Sequence, residues 1–168
     1  SAEITEYHIE EALYTAKSIK LNDDIQLLHA IPQDYVIDGR ADVKNPKGLS
    51  AGRLSAHFHL ITCNSDEVKN LVKAVEQTGL MVEQLVFSGL ASSYAVVTEE
   101  EKELGVCLVD FGAGTMEISL YTDSYLRYSM VIPYGGNLIT HDIARGLSIS
   151  KQDSELIKLK YGTVLETD

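Results

Sequence analysis

The residues best suited to chemistry form one short segment, residues 110–115, with the sequence DFGAGT between two apolar runs. Glycines let backbone N–H groups approach an anion and adopt positive φ, and successive N–H groups in such a turn form an anion site. The Thr115 hydroxyl adds a donor. The Asp110 carboxylate would repel a bare phosphate, so it fits only if a Mg²⁺ ion lies between them, bound through water. The segment therefore predicts a site for Mg²⁺ and phosphate.

A purely structural interpretation fits the same segment. Short glycine motifs are weak signals of function. A β-hairpin whose glycines only form the turn would show the same pattern, since residues 106–109 and 116–121 both have the character of strands. From the loop alone, both interpretations stay open.

The elements around the loop mix helices and strands, which predicts an α+β or α/β fold. The predicted elements are a helix over residues 5–21, strand pieces over 25–30 and 35–37 with a kink at Pro32, a loop over 38–52, a strand over 54–60, a helix over 64–79, a strand over 81–87, a short helix over 90–97, an acidic turn over 99–101, a buried apolar strand over 106–109, strands over 116–121 and 125–132, and helices over 137–147 and 151–161.

Composition limits the classes of partner. The chain has 168 residues, 45% hydrophobic and 23% charged, which is typical of a globular protein. Its net charge of −11 makes nucleic acid an unfavourable partner. No apolar run could span a bilayer, and the N-terminal residues do not have the pattern of a signal peptide. Cys63 and Cys107 lie in or beside apolar runs and are predicted to be reduced, buried thiols of a cytosolic protein.

Histidines offer a weaker candidate site. His57 and His59 share one face of a predicted strand, and His29 could lie on a neighbouring strand, so a metal site is geometrically allowed. No cysteine or carboxylate at ligand spacing supports it, and a solvent-facing strand is preferred. The chain lacks Gly-x-Ser-x-Gly, so nothing predicts a nucleophile elbow.

The order strand, Asp-x-Gly-x-Gly-Thr, strand resembles the second phosphate loop of the actin, Hsp70 and sugar-kinase superfamily. Residues 133–137 then open a helix, and residues 154–162 resemble the helix that supplies adenosine-side contacts there. Glu155 and Lys158 lie at i and i+3 on one face of that helix, where an ordinary surface ion pair is the alternative.

Five further segments resemble the bacterial cell-division family FtsA and are spread over nearly the whole chain. They are residues 31–35 (IPQDY), 44–50 (KNPKGLS), 59–63 (HLITC), 89–94 (GLASSY) and 132–134 (IPY). The resemblance implies an SHS2-type accessory subdomain, called 1C, over residues 3–81. Residues 82–168 would then form part of an actin-like, ribonuclease H-like core, namely the end of subdomain 1A and the start of 2A.

The resemblance also implies ligands. ATP and Mg²⁺ would bind the whole protein, with Asp110 facing Mg²⁺ through water. The first phosphate loop lies N-terminal to this region in the superfamily, so this chain alone is expected not to bind ATP. The other implied nucleotide contacts are Gly112, Ala113, Gly114, Thr115, Gly135, Gly136, Glu155 and Lys158.

The implied role is a cell-division scaffold that polymerises, links the tubulin-like FtsZ ring to the membrane and recruits late division proteins. Residues 3–81 would bind the late proteins, on the cytoplasmic face of the inner membrane at the division site. Contacts with FtsZ and the membrane are implied for regions outside this chain, the latter through a C-terminal amphipathic helix. The alternative is a kinase or ATPase on the same fold.

Two departures from the superfamily pattern carry expectations. Ala113 replaces the middle glycine of the loop, so we expect a negative φ there. Many actin relatives have a Glu-Pro pair where this chain has Ser88 and Gly89, and that glutamate helps to orient the attacking water. Without it, hydrolysis should be slow, and the nucleotide is interpreted as a ligand for conformation and assembly.

Overall fold

The fold is described here from a computed structural model, which describes residues 2–165. Most of its fourteen elements lie close to the predicted ones. In chain order they are β1 (Ala2–Glu3), α1 (Glu6–Lys17), β2 (Ile25–Ile37), β3 (Arg40–Val43), β4 (Ser50–Ala51), β5 (Leu54–Asn64), α2 (Ser65–Glu76), α3 (Ser88–Val96), α4 (Glu99–Leu104), β6 (Val106–Phe111), β7 (Met116–Thr122), β8 (Tyr125–Ile132), α5 (Gly136–Leu147) and α6 (Lys151–Tyr161). Strand β1 was not predicted, α1 ends at Lys17 instead of residue 21, β5 extends to Asn64 instead of residue 60, and the other exceptions are given below.

The first half is built on a three-stranded antiparallel sheet in the order β3-β2-β5, and we call β2 and β5 the accessory sheet. A small core of Ile4, Ile37 and Ala51 joins this sheet to the two-residue strands β1 and β4. The two strand pieces predicted on either side of Pro32 are one continuous strand, β2. Its pairing with β5 shifts register after Pro32, where a residue without an N–H group cannot complete the ladder.

The second half is built on an antiparallel meander in the order β6-β7-β8. Helices α3 and α4 pack on one of its faces, whereas α5 and α6 pack on each other. The β7–β8 hairpin turns at Asp123 and Ser124, whose φ values are 53° and 68°. Positive φ at both central residues is the mark of the tight turn that matches the twist of paired strands.

The two halves share a hydrophobic core. Ile61 of β5 clusters with Tyr121 of β7 and Leu126 of β8, which are 4% and 2% exposed. Partly buried side chains from both halves pack around them, namely Leu28, Ile31, Phe87, Leu90 and Val106. Burial of this cluster therefore stabilises both halves together.

Two strand predictions are corrected by the structure. Residues 81–87 form no strand, because they pair with none of the strands described between residues 2 and 165, and a β-strand requires a ladder partner. Strand β6 is apolar but not buried, because it is an edge strand covered on one face only. Val109 and Phe111 point to the open face and are 49% and 59% exposed. The thiol of Cys107 lies on this strand and is exposed, contrary to the prediction, while Cys63 is half-buried.

Two loop predictions are also corrected. The predicted loop over 38–52 contains the short strands β3 and β4. The predicted acidic turn over 99–101 is the first turn of α4, which Thr98 caps by accepting a hydrogen bond from the Glu101 N–H. Glu101 in turn accepts a bond from the Thr98 N–H, and this capping box explains why three consecutive glutamates begin a helix.

Acid should loosen the contact between the halves. His29 Nε2 accepts the Phe87 N–H at 3.0 Å, and His59 Nε2 lies 2.8 Å from Ser129 Oγ. Burial lowers the pKa of both histidines below the ordinary 6.5. Because the unfolded chain then binds more protons in acid, this stability is present above pH 6.5 and is lost as the pH falls through the folded-state pKa.

We therefore expect the urea midpoint of the chain to fall between about pH 7.5 and about pH 5. A double variant, His29→Gln with His59→Gln, should show a shallower fall, since glutamine can accept the same hydrogen bonds without titrating. An identical pH slope in parent and variant would show that these two histidines do not carry the effect.

A candidate phosphate and nucleotide site

The predicted phosphate loop connects β6 to β7 and is exposed. The Gly112 N–H donates to Thr115 O at 2.9 Å, which closes the turn. Neither Gly112 nor Gly114 has a positive φ, so the prediction that the loop glycines supply left-handed backbone is wrong. Ala113 also has no positive φ, as expected for a residue with a side chain. The glycines of this site matter because the absence of a side chain leaves space beside the backbone.

The second glycine segment packs directly on this loop. A Cβ atom at Gly135 would lie 2.4 Å from Gly112 O and 2.7 Å from Ala113 O, closer than any side chain can come. The first N–H groups of α5 then bond the loop: Gly136 N donates to Gly112 O at 3.0 Å, and Asn137 N to Ala113 O at 2.8 Å. The glycine at 135 is therefore required for contact between the loop and the start of α5.

Helix α6 also bonds the glycine segment at the start of α5. Lys158 Nζ donates to Gly136 O at 3.2 Å and to Thr140 Oγ1 at 3.0 Å, and it lies 2.8 Å from Glu155 Oε2. Thr140 is fully buried and donates to the same Glu155 oxygen at 2.5 Å. The hydrogen bond from Lys158, and after it the bond from Thr140, holds the pKa of the Glu155 carboxyl below its ordinary value.

The predicted pair Glu155 and Lys158 thus takes part in a network that reaches the glycine turn, rather than forming an isolated surface ion pair. The three N–H groups of Lys158 all find acceptors within the chain. In this arrangement Lys158 fixes the position of Gly136, and its contact with a nucleotide stays a prediction. Thr140, the centre of the network, was missed from the sequence.

Asp110 lies opposite a second carboxylate. It pairs in register with Glu117 of β7, so both side chains point to the same face of the sheet. Helix α3 donates to each of them: Ser92 Oγ to Asp110 Oδ2, and Ser88 Oγ to Glu117 Oε1, both at 2.6 Å. The other Glu117 oxygen, Oε2, is buried with no hydrogen-bond partner. Two carboxylates directly opposite each other are unfavourable unless a cation or proton joins them.

An open groove of about 390 Å³ runs from the loop along α5. It begins at Gly114, which gives the loop free space on one side. Residues of the β8–α5 connection and of α5 line the rest, among them Tyr134, Asn137, His141 and Arg145. Tyr134 and Asn137 lie in the segment 133–137 noted from the sequence, but none of the four was predicted as a site residue, because their proximity to Gly114 depends on how α5 packs.

The histidines do not form a shared site. His57 Nδ1 bonds Asp34 Oδ1 at 2.5 Å, whereas His59 faces Ser129 and His29 faces Phe87. Within residues 2–165, no group of three or more His, Cys, Asp or Glu side chains is placed to hold a metal ion. The helices described in this range are all too short or too polar to cross a membrane.

Comparison with known proteins decides the family. Residues 1–62 match the family model "SHS2 domain inserted in FTSA", and residues 107–168 match "Cell division protein FtsA". The cell division protein FtsA of Escherichia coli (strain K12) is 52% identical over 163 residues, which cover 97% of this chain and 39% of that protein. The chain belongs to the FtsA family. FtsA of Neisseria meningitidis serogroup B is 43% identical over 160 residues, covering 95% of the chain and 39% of the relative.

The chain thus spans 39% of the length of these FtsA relatives. Solved structures agree on the fold. The PilM–PilN type IV pilus biogenesis complex superimposes with a TM-score of 0.68 at 17% identity, covering 96% of this chain and 46% of that one. MreB 5 of Spiroplasma citri, solved bound to AMPPNP, gives 0.53 at 17% identity, covering 63% and 34%. The predicted mixed α/β fold, with an SHS2 domain and an actin-like core, is confirmed.

Proposed function

We propose that the intact protein is an actin-like cell-division scaffold that binds Mg-ATP at the loop between β6 and β7. The observation that carries the proposal is that hydrogen bonds join this loop to the start of α5 and to α6. They run from Gly112 to Gly136 and on to Lys158, 46 residues away in sequence. A β-hairpin whose glycines only made a turn would not need this support. The family of the chain and the AMPPNP bound to MreB 5 agree with it.

The carboxylates of the site fit a Mg²⁺ ion. Asp110 and Glu117 lie opposite each other, and the buried Glu117 Oε2 has no partner, so a cation would relieve an unfavourable arrangement. Asp110, whose orientation Ser92 fixes, would hold the ion through water. When bound, Mg²⁺ neutralises charge on the phosphates. The open side of the loop at Gly114 and Thr115 would face those phosphates.

A second candidate function, ATP hydrolysis, is favoured by one observation. The sequence lacks a carboxylate at Ser88, but the structure brings the carboxylate of Glu117 within 2.6 Å of the Ser88 hydroxyl. A base can therefore reach this position from β7, which removes part of the reason for expecting slow hydrolysis. Turnover of ATP by the intact protein, compared with a Glu117→Gln variant, separates an ATPase from a scaffold that only binds nucleotide.

The accessory half, residues 3–81, would supply contacts with other proteins, both with the next subunit of a polymer and with late division proteins. Its excess of acidic residues suits basic segments, such as the cytoplasmic tail of a membrane-bound division protein. Contacts with FtsZ and with the cytoplasmic face of the inner membrane belong to parts of the intact protein outside residues 1–168.

Two substitutions test the nucleotide site in the intact protein. Asp110→Ala removes the partner of the cation, and Gly114→Val adds bulk where backbone must meet phosphate. A Cβ at Gly114 meets no atom within 4 Å, so the fold should be unaffected. We expect each to weaken Mg-ATP binding at least tenfold in calorimetry, about 1.4 kcal/mol. Asp66→Ala, at an exposed position on α2, serves as the control. Parent-like binding by both site variants would mean that the loop is only structural.

A further inference from the structure

The accessory sheet is bonded to the edge of β8 by two neighbouring residues of β2, Gln33 and Asp34. Gln33 is 8% exposed, and its Nε2 donates to Leu126 O at 2.9 Å. Asp34 Oδ2 accepts from Arg127 Nη1 at 3.4 Å, and the Asp34 side chain is 16% exposed. We call these two contacts the junction. Since a buried amide left without its partner is costly, the Gln33 contact favours one position of the sheet against β8. Asp34 also bonds His57 through its other oxygen, so it is held on both sides.

Strand β8 leads from the junction to the phosphate loop. It has eight residues and is therefore roughly 26 Å long. The junction lies at its start, at Leu126 and Arg127, and Gly135 follows three residues after its end, packed against the loop carbonyls. Pairing with β7 restrains β8 from Tyr128 to Ile132, and the register shifts at Arg127, which has no partner on β7. A displacement of the loop would therefore be carried along β8 to the residues next to the junction.

A second contact connects the accessory sheet to the opposite side of the site. His29 accepts the Phe87 N–H, one residue before α3 begins. Ser88 and Ser92 of that helix hold Glu117 and Asp110. The accessory sheet therefore contacts both elements that position the loop, β8 and α3, which restrains it to move with them.

We propose that the junction couples the phosphate loop to the accessory sheet, so that Mg-ATP bound at the loop changes the stability of β2 and β5. The coupling rests on the proposed nucleotide function. Linkage makes it reciprocal: a protein that binds the accessory half changes the affinity for Mg-ATP by the same factor. Nucleotide state and partner binding are thereby connected in one chain, through polar contacts made by two residues.

Hydrogen exchange of the intact protein, with and without saturating Mg-ATP, tests the coupling. In the parent, Mg-ATP should slow exchange both in residues 111–115 and in residues 33–37, the latter by about fivefold or more. Gln33→Leu and, separately, Arg127→Met cut the junction at nearly constant side-chain volume. Each removes one contact of the junction while the His29–Phe87 contact remains, so both should keep the effect at the loop and reduce it at residues 33–37 to less than about twofold. Lys69→Met, which removes an exposed ion pair with Asp66 on α2, should behave like the parent.

The outcomes are distinct. Undiminished slowing of exchange at residues 33–37 in both junction variants would overturn the proposal, as would slowing confined to the loop in the parent. Absence of any effect at the loop in the parent would mean that the nucleotide function itself fails, and the coupling with it. Arg127 is 29% exposed and partly solvated, so Arg127→Met gives a folded variant even if Gln33→Leu does not.

Discussion

Replacing Gly135 by alanine is expected to abolish Mg-ATP binding by the intact protein and to destabilise the second half of the chain. The added Cβ would lie 2.4 Å from Gly112 O and 2.7 Å from Ala113 O, and both obstacles are backbone atoms that cannot rotate away. The start of α5 must then leave the loop, which breaks the bonds from Gly136 N and Asn137 N. Two lost backbone hydrogen bonds and the strain together cost roughly 3 kcal/mol.

Gly114→Ala is the matched control for stability, because it adds the same methyl group to the loop on which Gly135 packs. Its Cβ meets no atom within 4 Å, and residue 114 has no positive φ, so the free energy of unfolding should change by less than about 0.5 kcal/mol. Urea unfolding of the 168-residue chain measures stability, and calorimetry of the intact protein measures nucleotide binding. Equal stability of the two variants would show that α5 can shift without cost and that Gly135 is not required.

Local signals explain which elements of the second half could be predicted. Helices α5 and α6 begin and end within one residue of their predicted bounds. Ser150 caps α6 by accepting from the Asp153 N–H at 3.0 Å, a contact between residues three apart in sequence. The β7–β8 hairpin follows from two strands separated by Asp123 and Ser124. Each of these features depends on residues that lie only a few positions apart in sequence.

Contacts between distant residues explain what could not be predicted. Residues 81–87 have the composition of a strand, but a strand forms only where a partner lies, and composition does not report partners. The prediction that Cys107 is buried failed for a similar reason, since an apolar run can form an exposed edge strand. The bond between Gln33 and Leu126 joins residues 93 apart, and no periodicity near Gln33 indicates it.

The candidate site also has residues that the sequence could predict and residues that it could not. The spacing of Asp110, Gly112 and Gly114 identified the loop, but the physical role of a glycine was found only from the structure, in the space left at Gly135. Thr140 carried no signal, because a threonine inside a helix is common and its bonds to Glu155 and Lys158 depend on how α5 packs on α6. Sequence therefore identified the loop and the two helix side chains, but not the residue that joins them.

Leu126→Ala in the 168-residue chain tests the hydrophobic core that the two halves share, and we expect a large loss of stability. Leu126 is 2% exposed and packs against Ile61 and Tyr121, one from each half. Truncation of such a side chain leaves a cavity and should cost about 3 kcal/mol. Because the cavity opens between the halves, we expect hydrogen exchange to accelerate by similar factors in β5 and in β7, with a matching fall in the urea midpoint.

Leu120→Ala makes the same chemical change one residue away from Tyr121, on the opposite face of β7. Leu120 is 38% exposed, so its loss should cost less than about 1 kcal/mol and leave exchange in β5 unchanged. If Leu126→Ala accelerates exchange in β7 alone, residues 3–81 fold independently, and the proposed boundary near residue 81 divides two separate folding units. Equal acceleration in both strands would instead mean that the accessory half depends on the actin-like core for its stability, as the junction and the shared cluster around Ile61 both require.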